Sequence, residues 1–344
     1  MSQSIYCKPK LKINGVEVQF LESVSFVDNG NNQLQTLKAT ISEPDFENSK
    51  LFNASVEFYL NYGSSDGCPI FRGFIKDFNP SGTKLSINAL DVRTLISGQN
   101  AFPVVIDDKK NYDGQSVPAF LMDVIDSMNH DLLKTTTLND IDKPVFMTNV
   151  RETGSAYDIA VSEIDKALDE SDLFSPLSFE FDVVHLEKHS SIKIIKQKST
   201  TSSPSQTFSY HDGIISCTYK DRVSPSFGIA QTEDGSQVTF EYGNAPRGNV
   251  GIDIEGEFES RGHAKEALIP RVLHLQDTEK DISLQVSKGF YTNLGDIVKI
   301  NVSDDNLNGQ YRVTSKQINF KSNNVSCKLT LNKKPIKVSD YILS

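Results

Sequence analysis

Six histidines, four cysteines and an excess of carboxylates are the groups in these 344 residues that could do metal, nucleophilic or acid–base chemistry. His185 and His189 have the spacing that, on a helix, would put two imidazoles on one face where they could share a metal. The residues around them read as two strands, so both belong to a solvated hairpin turn beside Glu187 and Lys188, and the spacing loses its meaning. His130, His211, His263 and His274 have no Cys or Asp pattern around them that suggests ligation. Glu163, Asp165, Asp169, Glu170 and Asp172 are the residue types a glycosidase uses as acid and base. The first three fall on or near the polar side of a helix whose other face must pack, so a solvated helix face and end is expected. Asp107-Asp108 ahead of Lys109-Lys110 reads as a loop.

Cys7, Cys68, Cys217 and Cys327 include no close pair, which argues against a zinc cage or a dithiol redox site. Cys217 and Cys327 alternate with polar residues inside strands and read as small buried hydrophobes. The sequence has no phosphate-binding loop, no dinucleotide-binding glycine pattern and no His-Glu-x-x-His. Asn53, Asn301 and Asn324 begin formal glycosylation sequons, expected to be chance matches in a chain rich in Asn and Ser. No catalytic, cofactor-binding or metal-ligating residue is therefore assigned. A formal charge of −10 argues against a protein that grips phosphates, and no apolar run reaches membrane-spanning length. Met1 to Lys10 lacks the apolar core of a signal peptide, so folding in a cytoplasm is expected.

The elements are mainly strands. Leu11-Lys12-Ile13, Asn14-Gly15 and Val16-Glu17-Val18 form a hairpin signal. Further strands are predicted at Ser23–Asp28, Leu34–Ser42, Ser55–Leu60, Ile70–Ile75 and Thr83–Leu90, the last two joined around Asn79-Pro80-Ser81-Gly82. Ser116-Val117-Pro118 opens a helix with a capping hydroxyl and a first-turn proline, and Ser155 caps a second. Strands Ser178–His185 and Ser191–Gln197 follow, then a polar linker through Ser205. Beyond it come a strand at Ile214–Tyr219, a hairpin around Glu233-Asp234-Gly235-Ser236, and a short helix within Ser260–His274. From Leu284 to Leu331 the alternation predicts a small antiparallel meander, with Gly295 and Gly309 in turns that need a positive φ. The fold class is mainly β with an α+β insert: an antiparallel β-barrel over 1–100, an α+β insert over 101–205, and a second, related β-barrel with one helix over 206–344.

Two segments carry a resemblance. Leu294-Gly295-Asp296, a strand, then Leu307-x-Gly309-x-Tyr311-x-Val313 and a final amphipathic strand resemble the C-terminal barrel of the central hub proteins of phage tail baseplates, which are related to the ring part of type VI secretion spikes. Val56-x-Phe58, Phe71-Arg72-Gly73-Phe74-Ile75 and a strand ending in Asp91 with Leu95 after it resemble the first barrel of the same proteins. The resemblance implies a structural virion protein and not an enzyme: a homotrimer whose paired barrels make a pseudo-six-fold ring. Such a ring joins the tail tube or a distal tail protein above to the spike below, with baseplate wedge proteins around it. DNA would pass through without specific binding, past an acidic channel that repels phosphates. It further implies assembly in the host cytoplasm, no membrane insertion and no cofactor. The two barrel cores are expected to superpose strand for strand, with the insert outside the ring. Other readings are a distal tail adaptor ring, or a tail-tip protein that binds a cell surface or degrades polysaccharide or peptidoglycan.

Overall fold

The computed structural model describes residues 8–29, 33–42, 44, 50–61, 67–98, 112–134, 147, 155–170, 179–196, 203–221, 227–241, 251–265, 268, 280–287, 290, 292–303, 307–321 and 324–332. The chain divides into two compact units. One is Met1–Glu170 with Ser178–Gln197 and Ser315–Cys327; the other is Ser171–Leu177 with Lys198–Thr314 and Lys328–Ser344.

The first unit opens with β1 (Lys8–Ile13) and β2 (Val16–Glu17), closed by Asn14 and Gly15 at φ 49° and 79°. Positive φ at both turn residues gives the twist a two-residue hairpin needs, which is why Asn-Gly stands there. Next come β3 (Leu21–Asn29), β4 (Thr36–Ser42), β5 (Ser55–Asn61), β6 (Phe71–Ser81) and β7 (Lys84–Asp91). The sheet runs β3–β4–β7–β6–β5–β1–β2. On the far side of β3 lie Ser315–Lys321, antiparallel, with Ile318 opposite Phe26 and Phe320 opposite Val24. Every second residue of β3, β4 and β7 is buried: Val24 and Phe26, Leu37, Ala39 and Ile41, Leu85, Ile87 and Ala89. The turn after β6 is tighter than the sequence suggested. β6 continues through Pro80, opposite Leu85, and Ser81 pairs with Lys84. β5 pairs with β6 only at Phe71–Phe74, so proline's missing donor costs no ladder bond at position 80.

Helix α1 (Val117–Met128) begins where expected, with the Ser116 hydroxyl accepting from the Ala119 amide and Val117, Phe120, Leu121, Val124 and Ile125 buried. It ends at Asn129 in the left-handed region. Helix α2 (Ala156–Glu170) is capped by Ser155, whose hydroxyl accepts from the Asp158 amide at 3.3 Å. Strands β8 (Phe179–His185) and β9 (Ser190–Lys196) form a hairpin, with Val183 opposite Ile192.

The second unit contains β10 (Gln206–Phe208), β11 (Ile214–Asp221), β12 (Phe227–Thr232), β13 (Gln237–Glu241), β14 (Gly251–Phe258), β15 (Lys280–Val286), β16 (Ile297–Ile300), the first part of β17 (Gly309–Lys321) and the end of β18 (Asn324–Asn332). The expected hairpin at Asp234-Gly235 joins β12 to β13, with Gly235 at φ 78°. Residues 261–265 are helical after Ser260, and Ala264 and Leu268 pack with Ala230; the remainder of the predicted helix lies outside the described residues.

The Leu284–Leu331 stretch differs from a simple meander. β15 lies between β11 and β18, and Gly309–Lys321 form one long strand. Two ladders are parallel, β10 with β16 and β12 with β14. Gly295 has φ 75°, and its amide donates to the Val313 carbonyl at 2.9 Å. The Asp296 carboxylate beside it accepts from the Asn293 amide at 2.9 Å. A β-branched side chain is strained at that φ by about 1–3 kcal/mol, so Gly295→Val should lower the thermal midpoint by several degrees, as differential scanning fluorimetry would read.

Candidate functional site

Two arrangements in the first unit go beyond ordinary packing: a buried charge network, and a polar face on its sheet.

The network starts at the β5–β6 pairing, which sets Glu57 opposite Arg72. Arg72 is fully buried, and its Nε donates to Glu57 Oε1 at 2.7 Å. Its other guanidinium nitrogens reach the β8–β9 turn, donating to the Leu186 carbonyl at 3.1 Å and the Glu187 carbonyl at 2.9 Å. Gly73, next along, can only be glycine, because a Cβ there would lie 2.0 Å from the Leu90 carbonyl oxygen. Its partner across the ladder, Asp91, is also fully buried. The Asp91 carboxylate caps a 3-10 turn over Val92–Leu95 and accepts from the Gln35 amide. It also accepts from Arg93 Nη2 at 2.7 Å. Arg93 further donates to the Tyr157 hydroxyl on α2 at 2.9 Å and to the Gln33 carbonyl at 2.8 Å.

His185 lies in this network and not in a solvated turn, which corrects the sequence reading. It is half-buried, and its ring nitrogens lie 2.8 Å from the Ser190 hydroxyl and 3.1 Å from Gln35 Oε1. Burial holds it neutral, with its pKa depressed to about 3; Asp91 opposes this, while Arg72, Arg93 and Lys316 reinforce it. Asp28, across the ladder from Lys316, is pushed up to about 7 by burial, against the pull of Lys316 and with the help of Asp182. Burial raises the Tyr157 hydroxyl to about 12, so it stays a neutral hydrogen-bonding group.

The remaining candidates do not converge on this network. His189 is half-buried near the same turn, and His130 packs edge-on against Phe74 with centroids 5.6 Å apart. His211 and His263 are exposed; His274 lies outside the described residues. Glu163 is buried on α2, contrary to the solvated face expected for it, because that part of the helix is covered on more than its apolar stripe. The side chains of Asp165, Asp169 and Glu170, as well as Asp172, Asp107 and Asp108, lie outside the described residues. Cys327 is buried and its thiol is raised to about 12 by burial, as a small hydrophobe would be; Cys217 is half-buried, Cys68 exposed and Cys7 outside the described residues. Among the described residues no His, Cys, Asp or Glu cluster could hold a metal ion.

The second arrangement is the outward face of Ser315–Lys321, β3, β4, β7 and β6. One row reads Asn319, Ser25, Lys38, Asn88, Asp77 from strand to strand, and the next reads Lys321, Ser23, Thr40, Ser86, Asn79. A groove of about 570 Å³ lies over it. Asn88 donates to Asp77 at 3.0 Å, and Gln317 donates to Ser25 at 3.3 Å and Asn319 at 3.1 Å. The two rows carry no aromatic or aliphatic side chain.

No family model matches the sequence, and no curated protein matches it. Solved structures do. The prophage MuSo2 43 kDa tail protein from Shewanella oneidensis aligns with a TM-score of 0.71 at 10% identity, over 95% of this chain and 96% of that one. The fold is that of a phage tail protein. The tail protein from Neisseria meningitidis MC58 gives 0.66 at 10% identity, over 97% and 98% of the two chains. A component of the Escherichia coli type VI secretion system, c3393, described as similar to the T4 tail proteins gp27 and gp5, gives 0.53 at 9% identity over 94% and 76%. The tail-protein fold thus extends over nearly the whole chain, and it is the mainly β class with few helices that the strand and turn patterns predicted.

Arg93 was not legible as a site residue, although Asp91-x-Arg93 at a strand end is a capping pattern. Arg72 was visible only through its place in Phe71-Arg72-Gly73. Arg93→Met would leave the Asp91 carboxylate buried without its cation, a change that costs about 3–5 kcal/mol; the urea midpoint should fall accordingly, with soluble protein still obtained at low temperature.

The pH dependence of stability has two opposed parts. The depressed pKa of His185 contributes stability above its ordinary value of 6.5 that is lost as pH falls toward about 3. The raised pKa of Asp28 contributes stability below its ordinary 3.8 that is lost as pH rises through about 7. Denaturation midpoints between pH 4 and 7 should therefore flatten on acidification in His185→Asn and fall more steeply in Asp28→Asn, relative to the unsubstituted protein.

Proposed function

We propose that this chain is the central hub of a phage tail baseplate, a structural ring protein without catalytic activity. Three copies would place their paired β units around one axis, joining the tail tube or a distal tail protein to the spike, with wedge proteins outside. Support comes from the tail-protein fold over almost the full length and from the hub-like segments in both halves of the sequence. We also propose the domain division 1–100, 101–205 and 206–344, with the two β parts in equivalent seats and the middle part outside the ring.

The observation that carries the reading is the polar face across five strands. A surface whose rows hold two lysines, one aspartate and otherwise Ser, Thr and Asn presents water-bound groups to whatever passes. A nucleic-acid grip needs a cluster of cations, each phosphate neutralised adding to affinity and salt dependence. This face has no such cluster, so DNA would slide past it. Lined by this face, the channel would be nearly neutral, where the formal charge of −10 suggested an acidic one.

Light scattering on the purified protein at tens of micromolar should give the mass of three chains, and electron microscopy of those particles an open ring with Lys38 and Asn319 toward the axis. A protein that stays monomeric, or a ring that turns this face outward, would sink the hub reading.

A further inference from the structure

The β8–β9 hairpin is bonded to its surroundings in two different ways. Among the described residues neither strand pairs with the first unit's sheet; the two form a small sheet of their own. The hairpin's backbone bonds run to the segment that follows α1. The Ser190 amide donates to the Leu132 carbonyl at 2.9 Å, and the Lys134 amide donates to the Ser190 carbonyl at 3.0 Å. Toward the sheet the hairpin is held through side chains. Arg72 reaches the Leu186 and Glu187 carbonyls and, at 3.4 Å, the Ser190 hydroxyl, while the His185 ring meets Gln35.

Helix α2 is attached by its backbone, where the chain leaves the sheet. The Tyr157 amide donates to the Ile96 carbonyl at 2.9 Å, just past the 3-10 turn. The Asp158 carboxylate accepts from the Ser97 hydroxyl at 3.1 Å and from the Gly98 amide at 3.3 Å. Gly98 has φ 80°, a conformation that glycine enters without strain. Helices α1 and α2 pack on each other. The helices and the hairpin thus have one attachment made by continuous chain and backbone bonds, and another made by side chains alone.

The second attachment is built of charges. Arg72, Arg93, Asp91 and Lys316 are buried and close enough to act on the His185 ring. An apolar contact resists opening because water gains nothing from the surfaces laid bare. Buried charges recover solvation when they open, which offsets part of the bonds lost. Polar contacts between parts of one chain are accordingly those along which the parts move.

We propose that the insert is a hinged flap: it turns about Ile96–Gly98 and the start of α2, and Arg72 is the bolt that holds the β8–β9 hairpin closed on the sheet. This goes beyond the ring reading and stands without it, because hinge and bolt lie within one unit of a single chain.

Hydrogen exchange read by mass spectrometry on the full-length protein, with and without low urea, tests it. Amides of residues 179–196 should exchange through an opening that urea barely accelerates, while those of 36–42 and 84–91 follow urea-sensitive global unfolding. Arg72→Met should speed exchange in 179–196 by about tenfold or more and leave 36–42, 84–91 and the start of α2 as protected as before. Hairpin and sheet amides that exchange together, with one urea dependence, would overturn the proposal in the unsubstituted protein, whether or not Arg72→Met folds. So would an Arg72→Met variant that speeds exchange everywhere alike, leaves the hairpin unchanged, or frees the start of α2 along with it.

Discussion

Burying an arginine is expensive, and this protein buries two within one unit. An ion taken from water loses several kcal/mol of solvation, returned only when every donor finds an acceptor in good geometry. Arg72 draws its acceptors from β5 and the β8–β9 turn, and Arg93 draws its own from the end of β7, from Gln33 and from helix α2. Arg72 is not satisfied until sheet and hairpin meet, and Arg93 is not satisfied until sheet and helix meet. The network contributes little net stability compared with the apolar core, but it penalises any other arrangement of these elements. His185 and Asp28 have shifted pKa values because they share that dry interior, and no reaction need be invoked for them.

Backbone grammar was easy to read in the sequence. Asn14-Gly15, Asp234-Gly235 and Gly295-Asp296 turn where their residue types say they should, and Ser116 and Ser155 cap helices. These features are local, decided by φ and by one or two hydrogen bonds. What could not be read is set by distance along the chain. Nothing near His185 announces that Gln35, 150 residues away, will hold its ring, and nothing in α2 announces that Glu163 will be covered. The parallel ladders β10–β16 and β12–β14 were missed for the same reason: alternation marks a strand but does not name its neighbour. The polar face needed register as well. Ser25, Lys38 and Asn88 are unremarkable in their own strands and make a surface only once the strands are aligned.

Low identity with retained fold is intelligible on these terms. At 10% identity to the Shewanella and Neisseria tail proteins, few side chains are shared, yet the architecture persists. A strand asks for alternation and a turn asks for a permitted φ, and many sequences supply both. The less replaceable positions are those where backbones nearly touch, as at Gly73 against Leu90. Such constraints select single residues without leaving a pattern long enough for sequence comparison to detect.

The placement of Ser315–Lys321 beside β3 has a consequence for biosynthesis. Ser315 bonds Asn29, 286 residues earlier in the chain, and Gln317 bonds Ser25 across 292. A ribosome adding about 5–20 residues per second needs roughly 15–60 seconds to make the second partner after the first. Throughout that interval the β3 edge emerges without its strand, beside nascent chains offering identical edges on the same message. The β3 side of the first unit's sheet therefore stays open until Ser315–Lys321 have left the exit tunnel.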